Sequence, residues 1–123
     1  MSRQDEARLG DIVGAIAAIR GHLARGDLQD GLVYDAVRVR LIEIGEAVKG
    51  IDPELLEAAP GVPWKEIARM RDHLAHRYFD TDHAIVQDVV DNDLNPLMDA
   101  IPALLARLTG EADDEEGPGG PAA

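Results

Sequence analysis

Apolar side chains recur at steps of three and four residues along most of this chain, a spacing that favours α-helices over other elements. Residues 1–25 show it first, with Leu9, Ile12, Val13, Ile16, Ile19 and Leu23. Only 3% of the residues are aromatic, so the core must be aliphatic, which suits helices packed on helices. No stretch alternates apolar and polar residues as a half-buried strand does. We therefore predict an all-α fold.

A second helix is predicted from Gln29 to Lys49, after Gly26-Asp27 ends the first. Its main apolar stripe consists of Val33, Val37, Leu41, Ile44 and Val48. Val39 and Ile42 widen this stripe. A face this broad predicts contacts on two sides, with the bundle and with a partner subunit.

Two further helices are predicted in the middle of the chain. Asp52-Pro53 supplies a cap and a first-turn proline for a short helix that reaches Ala58. After the loop 60–63, Trp64 begins a helix that is predicted to end near Asp80.

The last helix is predicted from Asp82 to about Leu108, with Thr81 as its N-cap. Pro96 and Pro102 lie inside it, and each removes a backbone donor. One bent helix and two separate pieces therefore both remain open. The whole pattern predicts an up-and-down bundle of four or five helices.

An acidic, Gly/Pro-rich tail, residues 110–123, follows the predicted domain of residues 1–109 and is expected to be disordered. Removing the five acidic residues within 111–123 changes the formal net charge from −12 to −7. A negative chain is poorly suited to nucleic acid. Within residues 64–78, however, four basic side chains outnumber two acidic ones. A local basic patch can therefore still bind RNA.

The chain contains no cysteine, which excludes disulfides and thiolate chemistry. Its N-terminus is too charged for a signal peptide, and no run approaches the roughly 18 apolar residues of a membrane span. We predict a cytoplasmic protein with no membrane partner.

The motif R-x4-H-x-Y, formed by Arg71, His76 and Tyr78, carries the strongest chemical signal. It combines an always-charged phosphate fork, a proton carrier that works near neutral pH, and a hydroxyl. Such a set can cleave RNA without metal. A general base removes the proton of the ribose 2′-OH, and arginine stabilises charge on the phosphoryl oxygens.

Helix geometry constrains this site. On an ideal helix His76 lies roughly 140° around from Arg71. Either the helix loosens before His76, or a twofold dimer brings Arg71 of one chain to His76 of the other. Asp72 lies four residues before His76 and can orient the imidazole or form an ordinary surface pair with it.

Arg69, His73 and Arg77 follow one another at four-residue steps on the same helix. They form either a track for the RNA backbone or a solvated basic face, and the second is the more frequent situation.

A metal site at His73 and His76, with Asp80 or His83, is only weakly indicated, because no cysteine or distant third ligand supports it. We predict no metal and no cofactor.

Three stretches then resemble one known family in their order along residues 5–108. Residues 34–47, YDAVRVRLIEIGEA, resemble its second-helix signature, and residues 62–67, VPWKEI, resemble its Pro-Trp helix start. Residues 70–78 resemble its R-x4-H-x-Y run, which a helix break at 79–82 follows. The chain is thus similar to the HepT family of HEPN-domain proteins, the toxin half of HepT–MNT toxin–antitoxin pairs.

The resemblance implies a helical bundle that forms a homodimer, with two motifs facing one cleft. It implies a metal-independent endoribonuclease in which Arg71 and His76 are catalytic and Asp72 assists. Tyr78 would be the tyrosine to which the partner nucleotidyltransferase antitoxin transfers AMP, and the dimer can assemble further with that antitoxin. The acidic charge keeps an alternative open, a non-catalytic subunit that binds a nucleotide or the nucleotidyltransferase.

Overall fold

The computed structural model describes the backbone of residues 3–76 and 79–116 and the side chains of residues 3–76 and 82–110. Over these ranges the chain is helical and contains no strand, which confirms the all-α prediction. The helices are α1 (Arg3–Leu23), α2 (Gly31–Gly50), α3 (Pro53–Leu56), α4 (Trp64–His76), α5 (Phe79–Asn92) and α6 (Leu94–Glu116).

Aspartate caps explain where the central helices begin. The Asp30 carboxylate accepts hydrogen bonds from the backbone N–H groups of Leu32 and Val33, which satisfies donors that have no partner within α2. Asp52 caps α3 in the same way through the N–H of Glu54, with Pro53 in the first turn. The predicted start at Asp52-Pro53 is confirmed, although α3 ends at Leu56 rather than at Ala58.

Helix α2 is the centre of the bundle, because it packs on α1, α4 and α5. The N–H of Asp52 donates to the buried carboxylate of Asp5 over 3.3 Å, which joins the start of α1 to the region after α2. The main apolar stripe of α2 is thus used within the chain, by helices on two sides, and contact with a partner subunit stays a prediction. Val39 is nevertheless 49% exposed and Leu32 is 82% exposed.

The core is aliphatic, as the composition predicted. Its fully buried side chains come from all the long helices: Leu9, Ile12, Ile16, Ile19, Val37, Leu41, Ile44, Ile67, Leu74, Val86, Leu97 and Leu104. At the far end of the bundle, Arg20 donates to the side-chain oxygen of Asn95 over 2.6 Å, which pairs the end of α1 with the start of α6.

The predicted helix from Asp82 to about Leu108 is wrong in its start, and of the two forms left open the structure has two separate pieces. Helix α5 already includes Phe79, so Thr81 lies within its first turn and is not its N-cap. The helix is interrupted at Asp93. The carbonyl of this residue accepts a hydrogen bond from the N–H of Leu97, which begins α6. Pro96 explains this break, because it lacks the N–H that would continue α5 into α6, and in the first turn that loss is tolerated.

Pro102 remains inside α6, which extends to Glu116. The helix thus continues past Gly110, where the acidic tail was predicted to begin, into residues of good helix propensity such as Glu111 and Ala112. Residues 117–123 lie outside the described part of the chain, and the disorder of the tail stays a prediction. No helix over the described ranges is long and apolar enough to cross a membrane.

Candidate active site on helices α2 and α4

Gly45 allows α4 to lie unusually close to α2 at the position of Arg71. A Cβ built on Gly45 would collide with the Cβ of Arg71 and would lie 3.2 Å from both the Arg71 Cγ and the Ile67 carbonyl oxygen. The Arg71 Cβ and the Ile67 carbonyl oxygen are fixed to the backbone of α4, so they cannot move aside unless the helix moves. Because glycine has no side chain at position 45, the two helices can approach each other this closely, and the contact fixes where the Arg71 side chain leaves α4.

Arg71 extends from this contact into an ionic cluster, which we define as Arg71, Asp72, Glu46 and Lys49. Its Nε donates to the Glu46 carboxylate over 2.8 Å, and its Nη1 lies 3.3 Å from an Asp72 oxygen. These hydrogen bonds, first that to Glu46, raise the pKa of Arg71. With Nε engaged by Glu46, the outer edge of the guanidinium, Nη1 and Nη2, is the edge that can meet a phosphate, in competition with Asp72 at Nη1.

Asp72 belongs to the cluster through its carboxylate, which accepts from Lys49 Nζ over 3.1 Å. The hydrogen bond to Lys49, assisted by Arg71, lowers the pKa of this carboxyl group. The two cations and two carboxylates of the cluster balance, and all four side chains keep contact with solvent. A phosphate that approaches Arg71 must therefore compete with Glu46 and Asp72.

His76 is the last residue of α4, and its side chain is exposed. Its Nδ1 lies 2.6 Å from the main-chain carbonyl oxygen of Asp72. Because a carbonyl only accepts, Nδ1 must carry a proton in this contact, and in the neutral ring the basic lone pair is then on Nε2. Asp72 does contact the imidazole, as one prediction allowed, but through its backbone and not through its carboxylate.

Helix α4 stays α-helical through His76, so it does not loosen ahead of this residue. Of the two predicted ways to combine Arg71 and His76, a local unwinding before His76 is wrong. The two side chains leave the helix in directions roughly 140° apart. The other arrangement, in which two chains contribute to one cleft, stays a prediction.

Arg69 and His73 lie together on another side of α4. Both are exposed, and both line a small cavity of about 190 Å³ against α5. The cavity is also lined by Glu66, Asp88 and Asp93. Burial, assisted by the charges of Asp88 and Glu66, raises the pKa of Asp93. These carboxylates favour the solvated-face interpretation over an RNA track, and a role in RNA binding stays a prediction.

Two predicted site residues, Arg77 and Tyr78, lie outside the described residues, so their predicted roles are untested. Among the described side chains, no three His, Asp or Glu residues are arranged to hold a metal ion. His83, one of the weakly indicated ligands, instead stacks on Tyr34 with ring centroids 4.9 Å apart.

Glu46 and Lys49 were not among the residues that the motif indicated. They lie on α2, 25 and 23 positions before their partners on α4, so no local spacing in the motif connects them. The only signal was the charged pair three residues apart that follows Gly45.

A preformed apolar groove of about 580 Å³ adjoins the cluster, and Lys49 lines it. Trp64 forms part of its wall and is held in place because its indole N–H donates to the Ala59 carbonyl over 2.9 Å. The Trp64 ring packs on the core and also borders this groove.

Comparison with known proteins places these residues within a matched region. A family profile described as "Ribonuclease HepT-like" matches residues 12–104. The chain is 36% identical over 87 residues to a Methanocaldococcus jannaschii protein named "Putative RNase MJ0127", covering 71% of this chain and 72% of that protein. It is 35% identical over 101 residues to a Thermococcus cleftensis protein named "Probable ribonuclease HepT", covering 79% of this chain and 92% of that protein. No solved structure gives a significant match.

Proposed function

The chain belongs to the HepT-like ribonuclease family, and on that premise we propose that it is the toxin of a HepT–MNT pair, a cytoplasmic endoribonuclease that needs no metal. The observation that carries the proposal is the hydrogen bond from His76 Nδ1 to the Asp72 carbonyl. It leaves Nε2 as the basic nitrogen, which is the form that a general base requires.

In the proposed reaction His76 Nε2 removes the proton of a ribose 2′-OH. The 2′-oxygen attacks the adjacent phosphorus, and the bond from phosphorus to the 5′-oxygen of the next nucleotide breaks. That oxygen takes up a proton, so the products are a 2′,3′-cyclic phosphate and a 5′-hydroxyl. The outer edge of Arg71 stabilises the negative charge on the phosphoryl oxygens.

We propose that the cleft is formed by a homodimer, in which Arg71 of one protomer acts with His76 of its partner. The regular geometry of α4 up to His76 supports this arrangement, because one chain directs the two side chains apart. The exposed side chains of Leu32 and Val39, seven residues apart on one side of α2, are candidates for the interface.

Control by a nucleotidyltransferase antitoxin completes the proposal. The hydroxyl of Tyr78 would attack the α-phosphorus of ATP and release pyrophosphate, which leaves AMP on the side chain. The added phosphate is negative and lies two residues from His76 in sequence, so it would compete with RNA for Arg71.

The cleavage reaction is tested with purified protein and a single-stranded RNA oligonucleotide. We expect products that end in a 2′,3′-cyclic phosphate, the same rate in excess EDTA, and no cleavage of the same oligonucleotide with 2′-O-methyl groups. Loss of cleavage in EDTA would contradict the metal-independent mechanism. Absence of cleavage under all conditions, with RNA or nucleotide bound, would instead favour the non-catalytic subunit, which the balanced charges of the ionic cluster also suit.

The antitoxin step is tested by co-expression with an MNT-type nucleotidyltransferase, followed by mass spectrometry. The chain has two tyrosines, so the site can be assigned unambiguously. We expect one or more AMP additions on Tyr78, loss of modification in Tyr78→Phe and unchanged modification in Tyr34→Phe. Modification of Tyr34, or of neither tyrosine, would rule out the proposed control.

A further inference from the structure

Arg38 is a nearly buried arginine that reaches from α2 to the end of α4 and to the start of α5. Its side chain is 12% exposed. Its Nη2 donates to the main-chain carbonyl of Leu74 in the last turn of α4, and its Nε lies 3.9 Å from the carboxylate of Asp82 in the first turn of α5. One guanidinium thus contacts the end of one helix and the beginning of the next.

Both contacts complement the helix ends that they reach. The last carbonyls of an α-helix have no partner within the helix, and Arg38 supplies a donor to one of them. The positive charge of Arg38 at the end of α4 and the negative charge of Asp82 at the start of α5 also interact favourably with the dipoles of these helices.

Asp82 depends strongly on this arginine. Its side chain is 4% exposed, and its Oδ1 is buried without a hydrogen-bond partner among the described residues. A buried carboxylate is costly unless a charge compensates it, and Arg38 is the cation at that position. Burying this ion pair costs desolvation free energy that apolar side chains would not, so packing alone does not account for it.

The contact with Leu74 bears directly on His76. The imidazole Nδ1 reaches the Asp72 carbonyl only while the last turn of α4 keeps its helical form, and Leu74 lies within that turn. We propose that Arg38 is a positioning residue that holds the last turn of α4 and thereby fixes the tautomer and direction of the His76 imidazole. The catalytic part of this inference rests on the proposed function.

A second contact holds the start of α5 independently of Arg38. Tyr34, one turn earlier on α2, stacks on His83 with the rings 2° from parallel, and His83 Nε2 lies 3.2 Å from the Leu28 carbonyl oxygen. Loss of Arg38 should therefore loosen the end of α4 without detaching α5.

The test compares Arg38→Lys and the double variant Arg38→Met/Asp82→Asn with the native protein. Lysine keeps the charge but lacks the planar fork that reaches two helices. The double variant removes the buried charge together with its partner and so avoids an uncompensated carboxylate. Arg40→Met is the matched control, because Arg40 lies on the same helix, is exposed and pairs with Glu43 within it.

The first readout is nitrogen-15 NMR of the histidine side chains, with His76→Gln used to assign the His76 signals. We expect the Nδ1–H form of His76 in the native protein and in Arg40→Met, and a mixture of tautomers in both Arg38 variants. The second readout is RNA cleavage, for which we expect kcat to fall on the order of tenfold while KM stays within about twofold. Circular dichroism establishes that each variant is folded.

A folded Arg38 variant that keeps the native tautomer of His76 would overturn the inference, whatever its activity. If the double variant does not fold, Arg38→Lys decides the question alone. If the native protein cleaves no RNA, the proposed function fails, whereas the NMR comparison still decides whether Arg38 positions His76.

Discussion

His76→Ala is expected to reduce the rate of RNA cleavage by about 10²–10⁴-fold, the usual contribution of a general base. The side chain is exposed at the end of α4, so its removal should change the free energy of unfolding by no more than about 0.5 kcal/mol. The measurement is single-turnover cleavage of an RNA oligonucleotide, together with thermal unfolding followed by circular dichroism.

His22→Ala provides the matched control, because His22 lies in the last turn of α1, away from the ionic cluster. It should cleave RNA at the native rate. Equal activity of native protein and His76→Ala would remove His76 from the mechanism and would leave the metal-independent scheme without a base.

Arg71→Ala is expected to reduce cleavage by about 10²–10³-fold, because it removes the group that stabilises the developing phosphoryl charge. Arg71→Lys should recover only part of this loss, since lysine cannot offer two parallel donors along one edge. Both variants should fold, because Glu46 and Asp72 remain largely solvated when Arg71 is removed. A native rate in Arg71→Ala would show that its pairing with Glu46 serves structure alone.

Mixing the two inactive alanine variants distinguishes a shared site from a site within one chain. The native dimer would hold two Arg71–His76 pairs, and a mixed dimer keeps one of them intact. Random exchange makes half of the dimers mixed, so it should restore about a quarter of native activity. If each chain held a complete site, no mixture would recover activity. Separately tagged protomers and purification of the mixed dimer make the comparison quantitative.

Much of the fold could be predicted because helix signals are local. The aspartate caps and the three- and four-residue spacing act over a single turn, so α1, α2 and the start of α3 were predicted closely. The break at Asp93 could not be predicted in the same way. Either proline, Pro96 or Pro102, could have interrupted the pattern, and α6 accommodates one in its first turn and the other in its interior.

Only the part of the candidate site that lies on one helix could be predicted from the sequence. The motif identified Arg71 and His76, and the angle between them anticipated their divergence. The partners of Arg71 come from α2, and the choice of the Asp72 backbone over its carboxylate follows from Lys49 occupying that carboxylate. Such choices depend on how helices pack, which residue spacing within one helix does not encode.

The close approach at Gly45 also limits how this protein can change during evolution. Glycine has no smaller replacement and alanine is already too large here, so every substitution must push α4 away from α2, at a cost of about 1–3 kcal/mol for overpacking. Under the proposed toxin function, cells that escape its action need not alter Arg71 or His76. Position 45 offers them an inactivating route through a residue that has no functional group at all.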